Sequence, residues 1–178
     1  MWIAALSFAA VLLAGCEAAP KVQTTLDPQA NMAGYRTFSF LESAPKAAGA
    51  ITDERVRGRL RHMIAMQLME RGYTPATPGQ AGDLGVHYTG QVAAKQSVLI
   101  VGTPGPHDYG WGNRELGGYD TMSYREGTLF IDLVDISKRT LVWRAHVTEA
   151  LTPGYSEENW KKVDRALDEA FKSLPQRK

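Results

Sequence analysis

The sequence predicts an α+β fold, a two-layer sandwich with a mainly antiparallel (mixed) β-sheet and two helices packed on one face. Three observations carry that expectation. Thr128 to Asp135 and Thr140 to Thr148 read as a β-hairpin, and hairpins mean antiparallel pairing. Two segments, one opening near Asp53 and one near Ser156, repeat apolar residues at helical spacing along a single stripe. The order strand, helix, strand, long loop, hairpin, helix then places both one-sided helices against the same sheet.

Size and composition fit a single domain. The chain has 178 residues, 44% hydrophobic and 22% charged, the balance of a globular protein with a sizeable core. A formal net charge of +1 provides no global attraction to nucleic acid, and none is expected as a partner. A single Cys rules out an internal disulfide, so stability rests on packing.

The first stretch with a clear chemical meaning is Leu13-Ala14-Gly15-Cys16. The apolar run from Ile3 to Leu13 is eleven residues, short of the roughly 20 that span a bilayer, and matches the h-region of a signal peptide. Small residues then precede the only thiol, as a signal peptidase and a lipid transferase require. Leu13, Ala14 and Gly15 are therefore expected to be peptidase recognition residues and Cys16 the lipidation site, which makes the membrane the expected partner. No Lys or Arg lies between Met1 and Cys16, so either a start codon stands further upstream or the lipobox is false. The expected division is 1–15 signal peptide, 16–25 lipidated cysteine and tether, and 26–178 one domain. The polar run from Glu17 to Thr25 would reach about 30 Å when extended.

Along the domain, Tyr35 to Phe40 alternates as a half-buried strand, with Phe38 and Phe40 on one side. Thr52 or Asp53 caps the first helix and Gly72 ends it; Val56, Leu60, Met63, Ile64 and Leu68 form its stripe. Arg55 with Arg59, and Arg57 with Arg61, make two short basic pairs, read as a solvated face. Leu84 to Thr89 is the next strand, and Val98 to Val101 is either another strand or its continuation. Gly102 to Ser123, rich in Gly with Tyr109, Trp111 and Tyr119, reads as a long loop and as a candidate binding surface for a small molecule or glycan.

The hairpin register follows from the apolar pattern. A three-residue turn with Arg139 left-handed sets Leu133 opposite Trp143, Ile131 opposite Ala145 and Leu129 opposite Val147. The other face then pairs Val134 with Val142, Asp132 with Arg144 and Phe130 with His146. A four-residue loop would slip the pairing by one and scatter the apolar set. Ser156 caps the last helix, whose stripe runs from Trp160 through Leu167 to Leu174.

Motifs for chemistry are scarce. His62, His87, His107 and His146 have no metal-ligand spacing, so no metal and no cofactor are expected. Asp132 and Asp135 point to opposite faces of a strand and cannot flank one substrate. No nucleophile elbow, phosphate loop or dinucleotide fingerprint is present. No catalytic residue is assigned and no enzyme activity is expected.

Several segments together resemble the bacterial lipoprotein family known as domain of unknown function 4136. They are Tyr35-Arg36-Thr37-Phe38, Ala81-Gly82-Asp83-Leu84, the run from Tyr124 to Asp135, Leu141-Val142-Trp143-Arg144 and the closing Phe171 to Pro175. The likeness runs from about Val22 onward, with the Gly-rich loop variable, and Ala145 stands where members often have Gly. It implies a lipid-anchored envelope protein with two or three acyl chains, no established activity and no catalytic residues. Glu17, rather than Asp, after the cysteine favours the outer membrane, facing the periplasm and its envelope proteins as further partners.

Overall fold

A computed structural model describes residues 19–42, 49–100, 119–152, 154 and 156–177, with 97–100 and 119–122 described by backbone alone. The elements are β1 (Lys21–Leu26), β2 (Thr37–Phe40), α1 (Glu54–Glu70), β3 (Thr74–Pro75), β4 (Leu84–Ile100), β5 (Tyr119–Asp135), β6 (Thr140–Leu151) and α2 (Glu157–Phe171). The six strands form one sheet in the order β1-β6-β5-β4-β2-β3. β2 runs parallel to β3 and β4, and the remaining pairs are antiparallel. This is the expected open α+β sandwich with a mixed sheet.

The core lies between the two layers. Leu84, Val86 and Tyr88 of β4, Leu129, Ile131 and Leu133 of β5, and Trp143, Ala145 and Val147 of β6 bury their side chains. Against them pack Leu60, Ile64 and Leu68 of α1, and Ala166, Leu167, Ala170 and Phe171 of α2. Period two on the strands and 3.6 on the helices thus deliver one apolar face each.

The predicted register holds where the core depends on it: Leu133 faces Trp143, Ile131 faces Ala145 and Leu129 faces Val147. Its turn differs. Asp135 pairs with Thr140, leaving four residues between them, and the ladder shifts between Leu133 and Val134, so Val134 faces Leu141 instead of Val142. The bulge absorbs the one-residue slip that a four-residue turn imposes, and Val142 and Trp143 are both buried next to each other. Arg139 adopts the left-handed conformation at φ 57°, as expected.

Three other expectations are corrected. Residues Lys21 to Thr25, read as tether, belong to an edge strand in which Lys21 pairs with Thr148 and Val22 with Val147. A polar edge strand lacks strong alternation because β6 enlists chiefly its backbone, with Val22 alone half-buried against the core. The strand read as Leu84 to Thr89 does not end there: β4 continues to Ile100, paired with β5 as far as Tyr119, so of the two alternatives for Val98 to Val101 the continuation holds for 98–100. The predicted loop 102–123 is consequently shorter at its C-terminal end, and residues 101–118 lie outside the described residues.

Candidate functional site

The two ends of the sandwich are built differently. At the end holding the β5–β6 turn, polar side chains stitch the layers together. The Tyr35 hydroxyl donates to Asp135 Oδ2 at 2.8 Å, while Asp135 Oδ1 accepts from Ser137 Oγ at 2.6 Å and Lys138 N at 3.0 Å. These donors, Ser137 foremost, hold the Asp135 carboxyl well below the ordinary carboxylate range. Burial, followed by the bond to Asp135, pushes the Tyr35 phenol up to about 12. Asp83 accepts from Arg36 N at 2.7 Å, Thr37 N at 2.9 Å and Thr37 Oγ1 at 3.1 Å, and its pKa is lowered by those backbone donors. Gly82 lies against the β2 backbone so closely that a Cβ would sit 2.7 Å from Phe38 C. Trp143 Nε1 donates to Ser173 Oγ at 2.9 Å and its ring lies 4.9 Å from that of Phe171.

The opposite end, where α1 and α2 begin, is open. A cleft of about 500 Å³ lies there between the helices and the inner face of the sheet. Leu60, Leu129 and Val147 form its buried bottom. Val56, Trp160 and Val163 supply the helical walls, and Ile51 and Leu151 close its sides. Gly90 and Gly127 project no side chain into it; a Cβ on Gly90 would meet Ile51 Cδ1 at 3.3 Å, and one on Gly127 would meet Leu151 Cδ1 at 2.6 Å. Val92, Arg125 and Glu149 stand at the rim.

Local capping fixes the walls. Asp53 caps α1 by accepting from Arg55 N and Val56 N, and Ser156 caps α2 by accepting from Asn159 N. The buried Asn159 amide has all four of its bonds in place: its oxygen accepts from Thr152 N and Oγ1, and its nitrogen donates to Thr152 O and Gly154 O. Arg59 joins the two helices by a bidentate bond to Glu157 at 2.7 and 2.8 Å, and its guanidinium stacks 4.6 Å from the Trp160 ring centre. Two of the other three arginines named on α1 also meet carboxylates, Arg57 with Glu54 and Arg61 with Glu42, in keeping with a solvated helix face.

The cleft is an apolar binding site in its chemistry. Its bottom has no titratable side chain, and the buried Asn159 amide in its wall is spent on Thr152 and the Gly154 backbone, while the other polar side chains of the lining, among them Thr52, Gln91 and Thr128, are exposed or half-buried. Asp132, instead of lining it, forms a bidentate pair with Arg144 at 2.6 and 2.7 Å on the outer face, beside the stacked Phe130 and His146 rings. Among the described residues no group of three or more His, Cys, Asp or Glu could hold a metal ion.

Leu13, Ala14, Gly15, Cys16, Tyr109 and Trp111, together with His107, lie outside the described residues. Tyr119, expected in the loop, is the first residue of β5. None of the cleft residues was singled out as a site from the sequence. Gly90 and Gly127, on the inward side of strands that otherwise carry bulky residues there, were the available signal.

Residues 22–176 match the family described as domain of unknown function (DUF4136). A search of curated proteins finds no match. Among solved structures, the chain is similar to a DUF4136 family protein from Bacteroides thetaiotaomicron at 18% identity, covering 88% of this chain and 96% of that one with a TM-score of 0.47. It is also similar to a PelC dodecamer from Paraburkholderia phytofirmans at 14% identity, with 89% and 99% covered and a TM-score of 0.49. A PDZ domain protein from Parabacteroides distasonis matches at 13% identity and a TM-score of 0.49, with 88% of this chain covered; the chain spans 36% of that protein's length. With the family match extending over nearly the whole described fold, the chain belongs to the DUF4136 family.

Proposed function

We propose that this protein is a lipid-anchored bacterial envelope protein whose folded domain faces the periplasm, from the outer membrane, as a binding or interaction module and not as a catalyst. The observation that carries this reading is Leu13-Ala14-Gly15-Cys16, small residues leading to the chain's only thiol, placed five residues before the first strand. Two or three acyl chains on Cys16 would hold the domain firmly, at roughly 0.8 kcal/mol per buried CH₂. The non-catalytic part of the reading is supported by Asp132 and Asp135, both engaged in bonds that hold the sheet and its turn.

The test is the mature amino terminus. Mass spectrometry should find an acylated Cys16 as the first residue, and Cys16→Ala should move the protein from the membrane to the soluble fraction. An unmodified thiol, or a variant that stays on the membrane, refutes the anchor.

A second reading, a small-molecule-binding lipoprotein, is favoured by the cleft between the helix N-termini and the sheet. It differs from the glycan site expected around Tyr109, Trp111 and Tyr119, because the cleft offers one aromatic ring, Trp160, above a bottom of Leu60, Leu129 and Val147. Saturable binding of an apolar probe, abolished by a substitution that fills the cleft, would establish it.

A further inference from the structure

We propose that the cleft receives an acyl chain of a bilayer phospholipid, and that the end of the sandwich carrying it is turned toward the membrane. The orientation rests on the reading of Cys16 as the anchor.

Reach decides the orientation. Five residue steps lead from Cys16 to Lys21, a span of at most about 18 Å when fully extended. Lys21 pairs with Thr148, so the chain joins the fold beside β6, whose next inward residues, Glu149 and Leu151, line the cleft. An inverted domain would hang from the other end of β6. Thr140 to Thr148 is eight steps at about 3.3 Å, which would hold Lys21 about 26 Å from the surface, beyond the reach of the tether. The short tether therefore keeps the cleft end, the helix N-termini and the start of β1 on the membrane side.

Chemistry decides the occupant. Leu60, Leu129 and Val147 offer no hydrogen bond at the bottom, and the buried Asn159 has none left to give; the other polar lining residues, Thr52, Asp53, Gln91, Thr128 and Thr152 among them, are exposed or half-buried and not part of that bottom. A sugar placed there would leave its hydroxyls desolvated and unpaired, a penalty of about 1–3 kcal/mol for each group. A hydrocarbon chain loses nothing on entering, and about 500 Å³ is within the range of small-molecule sites. Gly90 leaves the sheet side open over the bottom, while Arg125 and Glu149 at the rim stand where a phospholipid's polar head would remain in water.

The experiment uses the lipidated full chain in vesicles of phosphatidylethanolamine and phosphatidylglycerol containing a phosphatidylcholine with a diazirine in one acyl chain. After illumination, the label should map to the segments holding Val56, Leu129 and Trp160. It should fall at least fivefold in Val163→Phe and in Gly90→Leu, two independent ways of filling the space, with thermal midpoints checked by circular dichroism. In parallel, the unanchored Cys16→Ala full chain should bind cis-parinaric acid saturably in solution, and the same two substitutions should weaken that binding at least tenfold. Parinarate binding does not need the anchor, so an unacylated Cys16 and an unoccupied cleft give different results. Label confined to the helix exteriors or the β5–β6 turn overturns the proposal. So does parinarate fluorescence that fails to saturate or that ignores both folded variants.

Discussion

The closed end and the open end of this sandwich share the same strands and helices, yet they are held by opposite means. At the closed end, the Tyr35 hydroxyl, the Asp83 and Asp135 carboxylates and the Trp143 indole all find partners across elements distant in sequence. At the open end, the capping bonds of Asp53 and Ser156 and the bonds of Asn159 are local, the Arg59–Glu157 pair ties the helices to each other at the surface, and between helices and sheet there is space instead of side chains. Of the segments that resemble the family, Tyr35 to Phe38, Gly82-Asp83 and Trp143 each have a structural duty at the first end, whereas the run from Tyr124 to Asp135 reaches from that end to the cleft, which Arg125, Gly127, Thr128 and Leu129 line.

The sharpest way to test the contrast is to cut the closed end. Trp143 is only 1% exposed, packs on Phe171 and bonds Ser173. Trp143→Ala should cost about 3–5 kcal/mol, from lost burial plus the cavity left behind, read from urea unfolding. A loss under about 1 kcal/mol would mean that the closed end is not where cohesion resides.

Tyr35→Phe is a smaller cut at the same place. It removes one donor to a carboxylate, and bonds to charged groups contribute about 1.5–3 kcal/mol. The pH dependence has two signs. Asp135 has a depressed folded pKa, so its contribution is complete above about pH 4 and is lost as pH falls through the folded value. Tyr35 has a folded pKa raised to about 12, so its contribution is complete below about pH 10 and is lost as pH rises toward that value. Thermal melts between about pH 3 and pH 11 should therefore show a shallower acid loss and a smaller alkaline loss in Tyr35→Phe than in the parent, the remaining alkaline loss coming from Tyr73 and Tyr88, whose phenols burial also pushes up.

The closed end was largely legible in the sequence. Alternation in β5 and β6 fixed the pairs that bury Ile131, Leu133 and Trp143, because any slip exposes them. The four-residue turn with its bulge was not legible, since one extra residue at Val142 leaves the buried pairs unchanged. β1 escaped notice for a different reason: Lys21 to Leu26 is mostly exposed and has its place through backbone pairing, which leaves no apolar period. The extension of β4 past Gly90 was hidden likewise, by a run of small and polar residues from Ala93 to Ser97. The cleft itself is a product of what the helices do not cover, and no local pattern encodes the distance between two layers.

Val86 and Val92 bring the comparison down to one residue type on one face of one strand. Val86 is 0% exposed beneath the helices, and Val92, six residues along β4 at the cleft rim, is 60% exposed. Removing two carbons from Val86 by Val86→Ala forfeits about 1.6 kcal/mol of transfer energy, with a cavity cost added. Val92→Ala removes the same atoms from a site already in contact with water, and should change stability by less than about 0.5 kcal/mol. Both numbers come from the same denaturant titration, so differences in method cancel. Equal losses at the two positions would mean that a part of the chain covers Val92 in solution, and the open end would then be closed by the protein itself. Unequal losses leave Val92 as free apolar surface at the mouth of the cleft, where a ligand that buries it would raise the stability of the parent more than that of Val92→Ala.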